Sequence, residues 1–296
     1  MRLAKAERVT NRIPPHAYFV VSAVFHYLGP ALAVLLFARI GPPGVAWLRI
    51  MVAAVVFAAW RRPWRILPEL PARQRWLLLW LGLTLAAMNT VFYLAIARLP
   101  LATVGGIEFL GPIVLAVVGL RGFRNLMALV LAVGGVALLT DVRIVDDPVG
   151  VALAFANCAL FVAYVVLGKR IAADGAGAGV DRLGIAMLIA AVVALPIGIA
   201  DAVPSFTQPP LLAAALAVGV CSSVIPYVCD QFALARLSQS AFALLLALLP
   251  ATATVIGIVV LAQVPSLSEL AGIALIVAGV AIHRDRTSAP PSEGDQ

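Results

Sequence analysis

The sequence predicts an all-α integral membrane protein whose ten transmembrane helices form a 5+5 inverted repeat. Three observations predict it: the composition, the spacing of the apolar segments and an internal repeat. Of the 296 residues, 63% are hydrophobic and 12% are charged, and the mean hydropathy is +1.05. Soluble proteins are roughly 45–50% apolar and roughly 25% charged. So little charge would not cover the surface of a soluble domain of this size.

The apolar residues gather in ten blocks, each long enough to cross a hydrocarbon core about 30 Å thick. Proline or glycine interrupts most of the connections between them, as expected for turns. Residues 285–296 are polar and indicate a disordered cytoplasmic tail. The predicted helices span residues 17–38, 44–60, 75–98, 101–120, 124–141, 149–170, 181–200, 210–235, 239–262 and 267–283.

The positions of lysine and arginine predict the orientation in the membrane. With the N-terminus in the cytoplasm, 17 of the 21 basic residues fall on the inner side. Cytoplasmic connections carry the excess of lysine and arginine in such proteins. Both termini are therefore expected inside a multi-pass protein of the cytoplasmic membrane. The four basic residues left on the outer side are Arg39, Arg49, Arg98 and Arg143.

The chain also repeats itself. LAIARL at residues 94–99 matches FALARL at 232–237, an offset of 138 that also places Pro112 on Pro250. The two repeats are residues 1–141 and 147–284, with five helices in each. Because five is odd, the second repeat must cross the membrane with the opposite polarity. Inverted repeats are typical of secondary transporters, which bind substrate between the halves near the midplane.

Glu108 is the most informative polar residue, because it lies near the middle of the predicted helix 101–120, in GGIEFLGP. A charged side chain there costs at least ~2.5–3.5 kcal/mol on insertion scales, so its presence needs a reason. We expect it to bind a substrate amine or to take up and release a proton. The alternative is a neutral glutamic acid that hydrogen-bonds a neighbouring helix. Pro112, Pro226 and Pro250 are predicted helix breaks that serve gating.

Two pairs of polar residues occupy equivalent positions in the two repeats. Asn89 and Tyr93 lie four residues apart on helix 3, and the offset of 138 places them on Tyr227 and Gln231 of helix 8. Side chains four residues apart lie on one helix face. We interpret the pairs as opposite walls of one cavity, with hydrogen bonding between helices as the alternative.

Three further ionisable residues lie within predicted helices. Asp230 lies near the cytoplasmic end of helix 8, and an ion pair with Arg236 or Lys169 competes with a role in binding. His26 could relay protons or form a neutral hydrogen bond. Arg49 could attract a substrate carboxylate or pair with Glu108, and snorkelling to the outer surface explains it equally well.

Other functional classes find no support in the sequence. The basic residues do not gather on one face, so nucleic-acid binding is not expected. The three histidines are dispersed and match no metal-ligand spacing. No nucleophile constellation or phosphate-binding loop is present, and DGAGAG at residues 174–179 is interpreted as a flexible turn. We therefore expect neither an enzyme nor a metal or organic cofactor.

Three stretches resemble the drug/metabolite transporter superfamily, of the EamA type, and most closely its threonine/homoserine exporters. They are LAVLLFARIGPPGVAWLR (32–49), GLTLAAMNTVFYLAIARLPLATVGGIEFLGP (82–112) and CSSVIPYVCDQFALARL (221–237). The resemblance implies a 5+5 inverted repeat, export of small polar metabolites such as amino acids, and coupling to the proton gradient. The second repeat departs from the family pattern in two places: Leu249-Pro250 replaces an acidic residue before proline, and Ala262-Gln263 replaces a Gly-Glu pair.

The sequence thus predicts a secondary active exporter of amino acids such as threonine and homoserine, working by alternating access. Its partners would be a small-molecule substrate and the lipid bilayer, and a homodimer is compatible with the sequence. Two alternatives stay open. One is an exporter of other metabolites or cationic drugs, and the other is a membrane interaction or sensor subunit that transports nothing.

Overall fold

The computed structural model describes residues 14–118, 123–236 and 248–282, where the regular structure is helical throughout. The first five helices are α1 (Pro15–Val34), α2 (Pro42–Arg61), α3 (Ala72–Ile96), α4 (Leu101–Val118) and α5 (Phe123–Asp146). They are followed by α6 (Pro148–Ile171), α7 (Ala176–Thr207), α8 (Pro209–Gly219), α9 (Ile225–Arg236), α10 (Leu248–Leu261) and α11 (Leu267–Ile282). A π-helical turn, Val220–Val224, joins α8 to α9 without a break, and two short 3-10 turns lie between α2 and α3.

Six helical segments in the described ranges are long and apolar enough to cross a membrane: α1, α2, α3, α6, α7 and the continuous α8–α9 segment. Three shorter apolar helices lie at Leu126–Leu138, Leu249–Leu261 and Leu267–Gly279. Large apolar side chains such as Trp80, Val192 and Val259 are well exposed. An exposed apolar surface of this extent fits contact with lipid, since soluble monomers rarely carry one.

Helix α7 differs from its prediction at both ends. It begins at Ala176, inside the glycine-rich stretch interpreted above as a flexible turn, and it continues through Pro196 and Pro204 to Thr207. Gly175, with φ of 103°, adopts the left-handed backbone needed just before the helix. The helix persists through the prolines because it packs along α2 and α3, and such tertiary packing overrides local propensity.

The connection between α5 and α6 is also shorter than predicted. Only Asp147 separates the two helices, and its side chain accepts a hydrogen bond from the Gly150 amide at 2.8 Å, as an N-cap does. That bond, together with the nearby Arg98 guanidinium, holds the pKa of Asp147 below its usual value. The carboxylate therefore stays charged and continues to cap α6 under mildly acidic conditions.

The packing of the helices pairs elements from the two ends of the chain. Helix α2 packs on α7, α4 on α10 and α5 on α11. Helices α3 and α4 both pack on α6, and in the same way α9 and α10 both pack on α1. Helix α3 contacts α7, while α2 contacts α8 and the π-helical turn. The core of the protein is therefore built mainly from contacts between the early and the late helices.

The turn between α10 and α11 covers the start of α4. The Gln263 side chain accepts a hydrogen bond from the Leu101 amide at 3.0 Å, one of the amides that a helix start leaves without a partner. At the end of the turn, the Ser266 amide donates to the Glu269 carboxylate and the Glu269 amide donates to the Ser266 hydroxyl. This reciprocal pair of hydrogen bonds is a capping box. Ala262 has a φ of 53°, a left-handed conformation that suits the glycine of the family pattern better than alanine.

Several predictions fall outside the described residues. These are the tail 285–296, the basic N-terminal arm and the first part of the predicted helix 239–262. The side of the membrane on which each terminus lies stays a prediction.

Candidate functional site

Glu108 lies on α4 in the interior, where its side chain is 2% exposed. Its two carboxylate oxygens accept hydrogen bonds from different helices. The Asn157 amide nitrogen of α6 donates to Oε1 at 2.9 Å, and the Tyr27 hydroxyl of α1 donates to Oε2 at 3.2 Å. Pro112 has no N–H and cannot bond the Glu108 carbonyl one turn earlier. The carboxylate therefore sits where three helices meet, beside an interruption in the backbone hydrogen bonding of its own helix.

The approach of Tyr27 to Glu108 depends on a glycine. A Cβ atom at Gly105 would lie 3.0 Å from the Tyr27 hydroxyl and 2.8 Å from the Ala253 side chain. Real Cβ atoms almost never come within 3.0 Å of another heavy atom, so only glycine lets α1, α4 and α10 approach this closely. The sequence GGIEF thus combines the carboxylate with the small residue that its hydroxyl partner requires.

Arg49 on α2 is 4% exposed, and its guanidinium is held by the π-helical turn. Its Nε donates to the Ser223 hydroxyl at 2.9 Å, and Nη2 donates to the Ser222 carbonyl. The guanidinium also lies over the Tyr93 ring, 5.0 Å from its centroid. The side chain therefore points into the protein and does not snorkel to the surface.

Pro226 explains why the Ser222 carbonyl is available to Arg49. In an α-helix that carbonyl would accept from the amide of residue 226, but proline has none. The chain instead forms a π-helical turn, a distortion often found at functional sites. Proline four residues after a polar residue is the sequence signal for this arrangement, and Ser222 was not among the predicted site residues.

Asn89 of α3 and Tyr227 of α9 meet directly. The Asn89 side-chain amide and the Tyr227 hydroxyl lie 3.4 Å apart, and Asn89 also donates to the Leu85 carbonyl at 2.7 Å. Both residues are buried. The two are 138 residues apart, which is the offset of the sequence repeat.

These groups surround one small cavity. Five of the predicted site residues contribute to its lining: His26, Arg49, Asn89, Glu108 and Tyr227. Met88, Phe92 and Asn157 complete the lining. The cavity therefore places a carboxylate and a guanidinium around the same small space, with neutral polar groups and apolar side chains between them.

Tyr93 and Gln231 do not line this cavity. Tyr93 lies beneath Arg49, and its hydroxyl is buried without a hydrogen-bond partner. Gln231 lies one turn beyond Tyr227 on α9, where it is fully buried and neither its side-chain oxygen nor its nitrogen has a partner. A Cβ at Gly179 would lie 2.5 Å from the Gln231 oxygen, so this amide packs against the start of α7.

Asp230 forms a separate cluster. Ser22 of α1 donates to one of its carboxylate oxygens, and the Tyr164 hydroxyl of α6 donates to the other at 3.1 Å. Ser22 also lies within hydrogen-bond distance of the Pro226 carbonyl, at 3.3 Å. The Arg236 guanidinium lies over aromatic rings of Tyr18 and Phe232. The Asp230 carboxylate thus accepts its hydrogen bonds from hydroxyl groups. The alternative expected from the sequence was an ion pair with Arg236 or Lys169.

Tyr27, Asn157 and Ser222 contact the charged groups of the cavity, although the sequence did not single them out as site residues. The signal for Asn157 was present, since aligning Arg39-Ile40 with Arg170-Ile171 places it on His26. Of the predicted helix breaks, Pro226 adjoins the π-helical turn. The carbonyl of Pro250 accepts a hydrogen bond from the Thr254 hydroxyl at 2.8 Å. The side chain of Pro112 is outside the described part of the chain.

Comparison with known proteins gives the family. The EamA-like transporter family matches residues 148–283. The threonine/homoserine exporter RhtA of Escherichia coli (strain K12) is 34% identical over 254 residues, which cover 84% of this chain and 84% of that protein. The chain belongs to the EamA-like transporter family. RhtA of Salmonella typhimurium (strain LT2) matches with the same identity and coverage.

A solved crystal structure shares the fold, with a TM-score of 0.56 at 19% identity, covering 90% of this chain and 96% of the other. Family membership makes this protein a multi-pass membrane transporter related to exporters of small metabolites, and not an enzyme. The resemblance to the EamA type noted in the sequence is confirmed, and so is its likeness to the threonine/homoserine exporters.

Proposed function

We propose that the protein is a secondary active exporter of small amino acids such as threonine and homoserine in the cytoplasmic membrane. Transport would be driven by the proton gradient and would work by alternating access. The single observation that carries this proposal is the cavity, because it presents a buried carboxylate and a buried guanidinium to one small space. An amino acid is a zwitterion, and it offers a complementary charge to each.

The amine of the substrate would bind at Glu108. Asn157 donates to the Glu108 carboxylate, while the side-chain oxygen of the same Asn157 is buried without a partner. A buried acceptor without a donor is rare in proteins and needs an explanation. A primary ammonium group has three N–H donors. It could bond the Glu108 carboxylate and the Asn157 oxygen together.

The carboxylate of the substrate would bind at Arg49. Hydrogen bonds to Ser222 and Ser223 fix the orientation of the guanidinium, so little freedom would be lost on binding. Guanidinium groups match carboxylates through paired hydrogen bonds. A substrate lying between Arg49 and Glu108 would therefore be held at both charged ends.

The charges of the cavity favour an amino acid over a cationic drug. A cation would meet the Glu108 carboxylate but would also lie beside the like charge of the Arg49 guanidinium. A zwitterion offers an opposite charge to each of the two groups.

The packing of the helices supports two inverted halves. When each helix of residues 1–141 is exchanged with its equivalent in residues 147–284, the most extensive helix contacts map onto one another. The contacts of α3 and α4 with α6 become those of α9 and α10 with α1, and the α2–α7, α4–α10 and α5–α11 contacts exchange within themselves. Asn89 and Tyr227, equivalent positions of the two repeats, meet at the cavity. Transporters of this construction carry their substrate site between the repeats.

Purified protein in liposomes tests the proposed function. We expect radiolabelled threonine and homoserine to exchange across the membrane in a counterflow assay, and an imposed pH gradient to drive their net movement. Cationic dyes should neither exchange nor compete. Empty liposomes and liposomes carrying the Glu108→Gln variant serve as controls. Movement of dyes in place of amino acids would refute the proposed substrate class, and the absence of any flux would favour the non-transporting alternative.

A further inference from the structure

Asp230 is a second buried carboxylate that the cavity does not use. It is 8% exposed, it does not line the space between Glu108 and Arg49, and each of its oxygens accepts from one hydroxyl. A buried carboxylate is usually paired with a cation, because a charge without a partner is costly away from water. In this cluster Ser22 and Tyr164 are both neutral donors. An ionisable residue in such a position inside a membrane indicates function.

The charged side chains on the helices around Asp230 pair with other residues, lie over aromatic rings or are exposed. On α7, which packs against α9, Asp181 bonds Arg61 and Arg182 bonds Asp174. On α1, the Tyr18 ring stacks on Phe232, under the Arg236 guanidinium. Lys169 and Arg170 of α6 are exposed. Among the described residues, titratable groups that interact with Asp230 in the interior are Tyr164 on α6 and, on its own helix, Tyr227 and Cys229.

The two hydroxyl partners suit a group that gains and loses a proton. A carboxylate accepts an O–H from each of them, as observed here. A carboxylic acid donates its own proton to one hydroxyl oxygen and still accepts from the other, because Ser and Tyr hydroxyls both donate and accept. The cluster can therefore hold either protonation state with all of its hydrogen bonds made. The Arg or Lys of an ion pair has no acceptor and would hold only the charged state.

The cluster is also connected to the cavity and to both halves of the protein. Ser22 belongs to the first repeat, whereas Tyr164 and Asp230 belong to the second. The Tyr164 ring lies 5.5 Å from the ring of Tyr227, whose hydroxyl reaches Asn89 in the cavity. A rearrangement of the hydrogen bonds at Asp230 would therefore change the packing of α1 against α9 and the wall of the cavity.

We propose that Asp230 is the coupling-proton site and that it is separate from the substrate site at Glu108. This inference rests on the proposed function and adds a division of roles to it, with the proton bound at Asp230 and the substrate bound at Glu108. In each cycle the Asp230 carboxylate takes up one proton on the outer side, becomes a neutral carboxylic acid, and releases that proton to the cytoplasm. The amino acid moves outward on the Glu108 and Arg49 groups. No bond other than the O–H bond of the acid forms or breaks.

The Asp230→Asn variant separates this inference from the proposed function. Exchange of threonine for threonine needs no net proton movement, so counterflow by Asp230→Asn should stay within about twofold of the unsubstituted protein. Net threonine movement driven by a pH gradient should fall to the level of empty liposomes, and threonine-driven proton flux, followed with an internal pH dye, should disappear. If the unsubstituted protein itself shows no counterflow, the proposed function fails and not the division of roles.

Two further variants test the same inference if Asp230→Asn fails to fold. Tyr164→Phe and Ser22→Ala each leave the carboxyl group in place and remove one of its hydroxyl partners. Each should shift the pH profile of net transport and leave counterflow unchanged. Glu269→Gln, a buried carboxylate whose capping role glutamine can keep, is the matched control and should change neither. Gradient-driven transport by Asp230→Asn at the unsubstituted rate, or unchanged pH profiles in both hydroxyl variants, would overturn the inference.

Discussion

Glu108→Gln should weaken threonine binding by ~10–100-fold and reduce counterflow to near background. The variant keeps the shape of the side chain but removes the charge that the substrate amine would meet. Hydrogen bonds to charged groups contribute ~1.5–3 kcal/mol, which corresponds to the expected loss. Titration calorimetry on the purified protein in detergent measures the affinity, and counterflow in liposomes measures the transport.

Glu269→Gln is the matched control for this experiment. It removes the charge of another buried carboxylate, but one that belongs to the capping box at the start of α11. Glutamine fulfils the same capping role, so threonine binding should be unchanged. If Glu108→Gln bound and exchanged threonine as the unsubstituted protein does, Glu108 would have no part in substrate recognition.

Arg49→Lys should lower the affinity for threonine by about tenfold and leave the affinity for threoninol nearly unchanged. Threoninol keeps the amine and the side chain of threonine but replaces its carboxylate with an alcohol. Lysine preserves the positive charge, but it cannot make the fork of hydrogen bonds that a guanidinium offers to a carboxylate. Competition of both compounds against radiolabelled threonine measures the two affinities.

An equal loss for threonine and threoninol would contradict this assignment. It would mean that Arg49 acts only by holding the π-helical turn through Ser222 and Ser223. Arg61→Lys serves as the control, because Arg61 pairs with Asp181 away from the cavity and is partly exposed. Its replacement should alter neither affinity.

Much of the helical architecture could be predicted from the sequence, because apolar length is a strong signal in membrane proteins. The boundaries of α7 could not. Glycines at 175–179 and prolines at 196 and 204 indicate turns in soluble proteins, yet the helix begins at Ala176 and runs to Thr207. The packing of α7 against α2 and α3 outweighs the local preference for a turn.

The charged groups of the cavity were predictable because ionisable side chains are costly inside a membrane and therefore conspicuous in an apolar sequence. Glu108 and Arg49 were found in this way. The partners that orient them were harder to find, since Tyr27 and Ser222 are ordinary residues of membrane helices. Their importance depends on the Gly105 contact and on the missing amide of Pro226, which require the packing of several helices to be known.

The separation of Asp230 from the cavity could not be predicted either. Asp230 lies three residues after Tyr227, and this spacing places both on one side of a regular helix. Their environments differ because Ser22 of α1 and Tyr164 of α6 enclose Asp230, whereas Tyr227 reaches Asn89 of α3. Contacts of this kind depend on how helices cross, and a single sequence does not contain that information.

Labelling of the cavity from each side of the membrane tests the central claim most directly. A Met88→Cys variant, in a background with Cys158, Cys221 and Cys229 replaced by alanine, places one thiol on the cavity wall. Alternating access predicts that a membrane-impermeant thiol reagent reaches this cysteine from the outer face and from the cytoplasmic face, and that threonine slows both reactions. Labelling from one face only, with or without threonine and at every imposed pH gradient, would contradict the account.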